Sequence, residues 1–409
     1  MDHHKLFLIL DIDGVLLEAE GYRAACVDTI NHFIHLMGQD NLSITRGIAD
    51  AFEVSRIACE WDMVPLSLAA FVNWYCQQTG EIFSDSNFPP KCYKPLNCDN
   101  NKFCAMLLDK IQEFAFFLNS SETPINAIYH GYLKKSGEGL DALWKQPFRD
   151  RFFVDTLNPW KSPFFAELMT RLLGKSTFES FYGFPAPLDC ESYLETKDHM
   201  LISEYYRKLL PNISDKKIYP AVMTYRPSLL PEKGNKKSSY FVNTPEAECA
   251  LHLLEWSDGK IPMIGGGSIC YIEEKYNLRR EHYVKPHPFH ALASALIAIC
   301  KDEIQSLELA RQLCEFDPET QTNPINDLLS QEDHIELAVF EDSVSGIESV
   351  RNAAEILRKW KYDAVAVCCG ISTTDAKNEK LKSNGVMIYN NVNIAFDSVI
   401  GKFSEKGNL

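Results

Sequence analysis

The sequence predicts an α/β fold: a Rossmann-like, doubly wound parallel sheet with a large, mainly helical domain inserted near its start. Three observations carry this. Over 216–400 short apolar runs alternate with helix-period segments, the pattern of parallel strands joined by helical crossovers. A matching apolar run, 6–10, opens the chain far from the others. Asp11, Thr224 and Asp342 all fall at predicted strand ends, where open α/β sheets bind their ligands.

With 409 residues the chain exceeds one small core, so two domains or one elaborated domain are expected. A formal charge of −15 argues against non-specific nucleic-acid binding and against an anionic membrane surface. An anionic substrate is compatible with it, because a bound cation inverts the local field. Thirteen cysteines without a Cys-x-x-Cys pair suit reduced thiols in a cytoplasmic protein. No leader-like segment is recognised, and no apolar run reaches membrane-spanning length.

In chain order, 6–10 is a buried strand running into Asp11-Ile12-Asp13-Gly14. Residues 20–37 follow, with Val27, Ile30, Ile34 and Met37 at helical spacing. From there to about 215 come helical pieces rich in aromatics, at 58–75, 102–118, 164–173 and 192–210, separated by loop-like stretches such as 84–100. The expected division is therefore 1–17 and 216–409 as the sheet domain, with 18–215 as the insert. In the second part strands are read at 218–223, 261–264, 335–340, 364–369 and 386–389. Helices are read at 244–256, 288–300, 345–359 and 375–382, with Ser345-x-x-Glu348 as a capping box. Gly265-Gly266-Gly267 reads as a strand-exit loop, since the Gly-Lys-Ser/Thr of a P-loop is missing. The segment 301–334 reads as an unusually long connection.

Four elements carry chemistry. Asp11 and Asp13 can serve as a nucleophilic carboxylate and a general acid/base. Thr224 offers a hydroxyl beside free backbone N–H groups for a phosphoryl oxygen. Lys285, in Val284-Lys285-Pro286-His287-Pro288, offers an ammonium just before a helix. Glu341 and Asp342, after a buried strand, offer oxygens for a magnesium ion. Taken singly, each has a plain reading: acids in a turn, a β-favouring threonine, a solvated lysine, an acidic helix start. Glu60-Trp61-Asp62 reads either as a sugar platform or as the edge of a core. His287 and His290 read as structural or exposed.

In this order the four elements resemble the motifs of the haloacid dehalogenase superfamily, over about 1–24 and 216–400. The third and fourth look most like the β-phosphoglucomutase and phosphoglycolate-phosphatase branch. The resemblance implies Asp11 as nucleophile, Asp13 as general acid/base, and Thr224 and Lys285 as phosphoryl ligands. It implies Mg²⁺ on Asp11, the Asp13 carbonyl and Asp342, with Glu341 in or near that shell. Residues 18–215 would be the cap domain, with Tyr22 and Arg23 on its first helix turn facing the substrate. From their place just past Thr224, Tyr225 and Arg226 are candidates to reach the phosphate, and for Arg23 and Arg226 a surface salt bridge is the plain alternative. The expectation is a Mg²⁺-dependent phosphatase of a small phosphorylated metabolite, working through an aspartyl-phosphate, with no nucleic-acid or membrane partner. A phosphomutase shares all four motifs, and a non-catalytic binding protein on the same fold is the reading from a different class. The oligomeric state stays open.

Overall fold

The structure, a computed structural model, describes residues 3–57, 59–81, 83, 89–94, 96, 98–119, 122–135, 146–214, 217–231 and 243–405 (of 132–135 and 146–149 the backbone alone). It divides into two compact units, Met1–Ala19 with Asp198–Leu409, and Glu20–Lys197. Residues 198–214, read from sequence as part of the insert's tail, thus group with the sheet.

Eight strands lie among the described residues of the first unit. They are β1 (His4–Leu10), β2 (Leu17–Glu18), β3 (His199–Met200), β4 (Ile218–Met223), β5 (Met263–Ile264), β6 (His334–Glu341), β7 (Asp363–Ile371) and β8 (Met387–Tyr389). Six of them form one parallel sheet in the order β5-β4-β1-β6-β7-β8. Helices flank it in the Rossmann-like, doubly wound manner. β2 and β3 form a separate antiparallel pair.

β1 is central and sandwiched, which is why it reads as an unbroken apolar run rather than an alternation. Leu6, Leu8 and Leu10 enter the core on one face, with Trp256, Phe396 and Val399. Phe7 and Ile9 enter the core on the other, with Leu292, Leu296, Ile347 and Val350. Residues Leu6–Leu10 are at most 1% exposed, and burying each such side chain contributes about 1.5–3 kcal/mol.

Three corrections to the sequence reading concern helix starts. Gly266–Lys275 is a helix, so the three glycines open a helix rather than form a loop. Glu303–Glu315 is a helix within the expected long connection, capped by Asp302, whose side chain accepts from the Gln305 N–H. The helix Val344–Lys359 is capped by Ser343 rather than by Ser345, because the Ser343 hydroxyl is the one that accepts from the Gly346 N–H (3.2 Å).

The second unit is helical as expected. Glu20–Leu36, Glu60–Thr79, Asn100–Ala115 and Pro163–Tyr182, the last kinked at Gly174, match the predicted segments. Arg46–Val54, Pro124–Lys135 and Gln146–Phe153 are further helices. The expected helix over 192–210 is broken into Tyr193–Thr196, β3 and Glu204–Leu209, since Ser192 and Ser203 each cap a separate helix. Within the expected loop 84–100, residues 84–88, 95 and 97 lie outside the described residues, as does position 58. Glu60–Thr79 is buried on nearly every side, and Phe33 packs edge-on against Phe164 at 4.8 Å. No helix among the described residues is long and apolar enough to cross a membrane.

His290, in the helix Pro288–Cys300, is fully buried against the sheet. Its Nε2–H donates to the Ile264 carbonyl (3.0 Å). Burial, with Lys285 nearby, lowers its pKa from the usual 6.5 to about 3. The folded protein therefore binds fewer protons here than the unfolded chain between these values, and the contribution of neutral His290 is lost as pH falls through that window. His290→Gln keeps a donor for Ile264 and removes the titration. Measured by urea unfolding, wild-type stability should fall with decreasing pH more steeply than that of the variant, by up to about 1.4 kcal/mol per pH unit.

Candidate active site

The carboxyl edge of the sheet carries Asp11, Thr224, Lys285, Glu341 and Asp342. Asp11 follows β1 directly and is anchored by its N–H to the Phe340 carbonyl (3.1 Å). The chain then turns tightly, with Leu16 and Leu17 both donating to the Ile12 carbonyl. Gly14 makes this turn possible at φ +73°. A Cβ there would also lie 2.6 Å from Asp342 Oδ2, so the position is closed to side chains on both counts.

Lys285 sits at the centre. Its Nζ donates to Asp11 Oδ1 (2.8 Å), to Glu341 Oε1 (3.1 Å) and to the Met223 carbonyl (3.1 Å). The segment that presents it is pinned from several elements. Glu273 accepts from the Tyr283 N–H (2.9 Å), Ser349 Oγ donates to the His287 carbonyl (2.7 Å), and Asn352 Nδ2 donates to the Pro286 carbonyl (3.1 Å). The Tyr283 and Phe289 rings stack at 4.0 Å. His287, read as structural or exposed, caps the following helix by accepting from the Phe289 N–H. The Lys285–Pro286 peptide is cis.

Glu341, almost fully buried, also accepts from Ser343 Oγ (2.7 Å). A Cβ on Gly346 would come within 1.9 Å of Glu341 Oε1, so glycine is what lets the helix start lie against this carboxylate. Asp342 pairs with Lys377.

Burial pushes the Asp11 carboxyl well above the ordinary carboxylate range. Glu341 adds to that, and Lys285 opposes it. For Lys285 burial works against the ammonium, but Asp11 and Glu341 outweigh it and raise its pKa. Asp342 is raised by burial and by Glu341, against Lys377.

Asp11, Glu341 and Asp342 each present an oxygen, all within 4.8 Å of one another. Three carboxylates here face two ammonium groups, so the cluster carries surplus negative charge in a poorly solvated place. Hard oxygen donors and unbalanced charge fit a magnesium ion. The Asp13 side chain stands apart from this trio. It turns to Arg226.

Arg226 was expected beside the phosphate. In the structure its Nε reaches both Asp13 oxygens (2.9 and 3.1 Å), and its Nη2 reaches Asp13 Oδ1 (2.5 Å) and Asp198 Oδ2 (2.9 Å). Arg226 and Asp198 are both buried. Thr224 is buried at the end of β4, where its Oγ1 accepts from the Arg226 N–H (3.1 Å). Tyr225 beside it is exposed. Tyr22 and Arg23 belong to the helical unit. There Arg23 pairs with Glu53 and Glu60, and the Tyr22 ring meets Trp61 edge-on at 5.9 Å. Trp61 Nε1–H points at Met169 Sδ (3.2 Å), so Glu60-Trp61-Asp62 is built into the core of that unit. Sequence reasoning missed Asp198, Ser343 and Lys377. For Ser343 the Ser-x-x-Gly ahead of an apolar helix face was an available signal. For the other two the sequence holds none.

Comparison with known protein families and with curated proteins finds no match. Among solved structures the chain is similar to a crystal structure determined as a Northeast Structural Genomics Consortium target, with a TM-score of 0.60 and 13% identity over 97% of this chain and 99% of the other. It is also similar to phosphatase Tt82 from Thermococcus thioreducens, with a TM-score of 0.41 and 13% identity over 93% and 99%. The first likeness supports the fold.

Lys285→Met removes the cation that pairs with both Asp11 and Glu341. Breaking a buried pair in this way should cost about 3–5 kcal/mol in metal-free chemical unfolding. Asp11→Asn combined with Lys285→Met should cost less than the sum of the two single changes, because the stranded charge is removed with its partner.

Proposed function

We propose that the chain is a Mg²⁺-dependent phosphatase of the haloacid dehalogenase type, acting on a small phosphorylated metabolite through an aspartyl-phosphate. The observation that carries the reading is Asp11. It is a buried carboxylate at the carboxyl end of the central strand, held by Lys285 and set beside Glu341 and Asp342. Such a group can attack phosphorus only if it is fixed in line and the phosphoryl charge is neutralised. Lys285 meets part of both needs. Mg²⁺ held by Asp11, Glu341, Asp342 and the Asp13 carbonyl would supply the remaining positive charge.

In the first step an Asp11 oxygen forms a bond to phosphorus, the ester P–O bond breaks, and the leaving oxygen takes a proton from Asp13. In the second, Asp13 removes a proton from water, the water oxygen bonds to phosphorus, and the Asp11–phosphorus bond breaks to release phosphate. The Thr224 hydroxyl accepts from the Arg226 N–H and keeps its own hydrogen for a phosphoryl oxygen. Arg226 aims Asp13. Of the two Asp13 oxygens, Oδ1 takes two bonds and Oδ2 only the longer one of 3.1 Å. Oδ2, the less engaged oxygen, is therefore the one assigned to proton transfer.

Wild-type protein should hydrolyse a generic aryl phosphate in Mg²⁺, and chelation should abolish the reaction. Asp11→Asn should lower the rate by several orders of magnitude. Equal rates for the two proteins, or no hydrolysis by wild type across a broad panel of phosphomonoesters, would overturn the reading. Isomerised product in place of released phosphate on a sugar-phosphate panel would make the protein a mutase.

Arg226→Lys tests the aiming role. Loss of the two-point hold on Asp13 should lower kcat by about ten- to a hundredfold with little change in KM. A direct phosphate contact would instead raise KM.

A further inference from the structure

At the opposite end of β1 lies a second cluster of metal-ligating side chains. His4 and His334 are directly paired across β1 and β6, and Glu336 is two residues along β6, on the same face of the sheet. The His4 and His334 rings meet edge-on at 4.4 Å. His4 Nε2 lies 3.0 Å from Glu336 Oε1, and His334 Nε2 lies 3.7 Å from the same atom. Ligand atoms of the three residues all fall within 4.8 Å of one another.

The protonation pattern is informative. His334 Nδ1 contacts Asp363 Oδ2 at 2.6 Å. A carboxylate only accepts, so the Nδ1 hydrogen is on this side, and the opposite ring nitrogen, Nε2, faces the Glu336 carboxylate. The carboxylate–imidazole pairing of Asp363 and His334 is the arrangement that fixes the tautomer of a metal-bound histidine. Glu336 and His4 are mostly buried, with side chains 9% and 11% exposed, whereas His334 at 35% opens the cluster to solvent. The Phe403 ring packs against His4 at 4.9 Å.

We propose that His4, His334 and Glu336 form a site for one divalent transition-metal ion of the zinc class. Two imidazoles and a carboxylate are the ligand set such ions prefer. Tetrahedral zinc with bonds of about 2.0–2.2 Å sets its ligands roughly 3.4 Å apart, between the two separations seen. Binding shifts the His4 proton from Nε2 to Nδ1 and leaves Asp363 holding His334. Asp11 is seven residues further on, just past the end of β1 and about 23 Å away at ordinary strand rise, so the ion is structural: it clips the start of β1 to β6.

The test uses the full chain without a polyhistidine tag, in excess Mg²⁺ to occupy the carboxylates around Asp11. Zinc titration should show one equivalent that is lost in a variant carrying both His4→Gln and His334→Gln. Asp363→Asn should weaken it by about ten- to a hundredfold. Cobalt in its place should give visible bands without the intense near-ultraviolet absorption of cobalt–thiolate bonds. In wild-type protein, zinc should protect His4 and His334 from diethylpyrocarbonate, read by peptide mass spectrometry. This readout holds even if a variant fails to fold. Unprotected histidines, an unchanged zinc equivalent in the double variant, or a cobalt–thiolate spectrum would overturn the proposal. None of these readouts depends on phosphatase activity.

Discussion

An ammonium has three hydrogens, and Lys285 gives one to each of three groups at the ends of three adjacent strands: Met223 of β4, Asp11 after β1 and Glu341 of β6. This is the constraint on which the site depends. A buried lysine is tolerated only when its charge and all its donors are answered. Here the answers come from separate strands, so the ammonium is satisfied only when all three stop at the same level. The pinning of 281–289 by Glu273, Ser349 and Asn352 fixes where the lysine starts. The sheet register fixes where it ends.

Much of this was legible in the sequence because buried parallel strands announce themselves as short apolar runs and their ends as abrupt polar residues. β1, β4 and β6 were read within a residue or two, and Asp11, Thr224, Lys285, Glu341 and Asp342 were singled out by their positions together with the resemblance of the motifs around them. What stayed hidden was tertiary. Asp198 lies 28 residues before Arg226 and 185 after Asp13, and no local pattern ties the three together. Arg226, one residue past an exposed tyrosine, looked like a surface group able to reach a phosphate. Its burial against two acids follows from where the chain returns to the sheet.

Other misses were local and have local reasons. Glu303–Glu315 is polar on most of its surface, so its few buried apolar positions, Leu307, Ala310 and Leu313, gave too thin a stripe to stand out from a connection. The break in 192–210 was marked by Ser203, whose hydroxyl caps the helix that follows (3.4 Å to the Tyr206 N–H). Helical spacing on either side masked it. β2 and β3, two residues each, are too short to have any pattern.

The position of β1 in the sheet has a consequence for the making of the protein. It is synthesised well before its neighbours, which begin at residues 218 and 334. At about 5–20 residues per second, translation leaves it waiting about 10–40 s for β4 and longer for β6. During that interval Leu6–Leu10 is an unpaired apolar run of high β propensity, the kind of segment that pairs with other chains. His3, His4 and Lys5 stand before it, and Asp11 and Asp13 follow. Flanking polar and charged residues of this sort discourage such pairing. The two acids thus act twice in the life of the chain, first as guards on a nascent strand and later as part of the polar edge of the finished sheet.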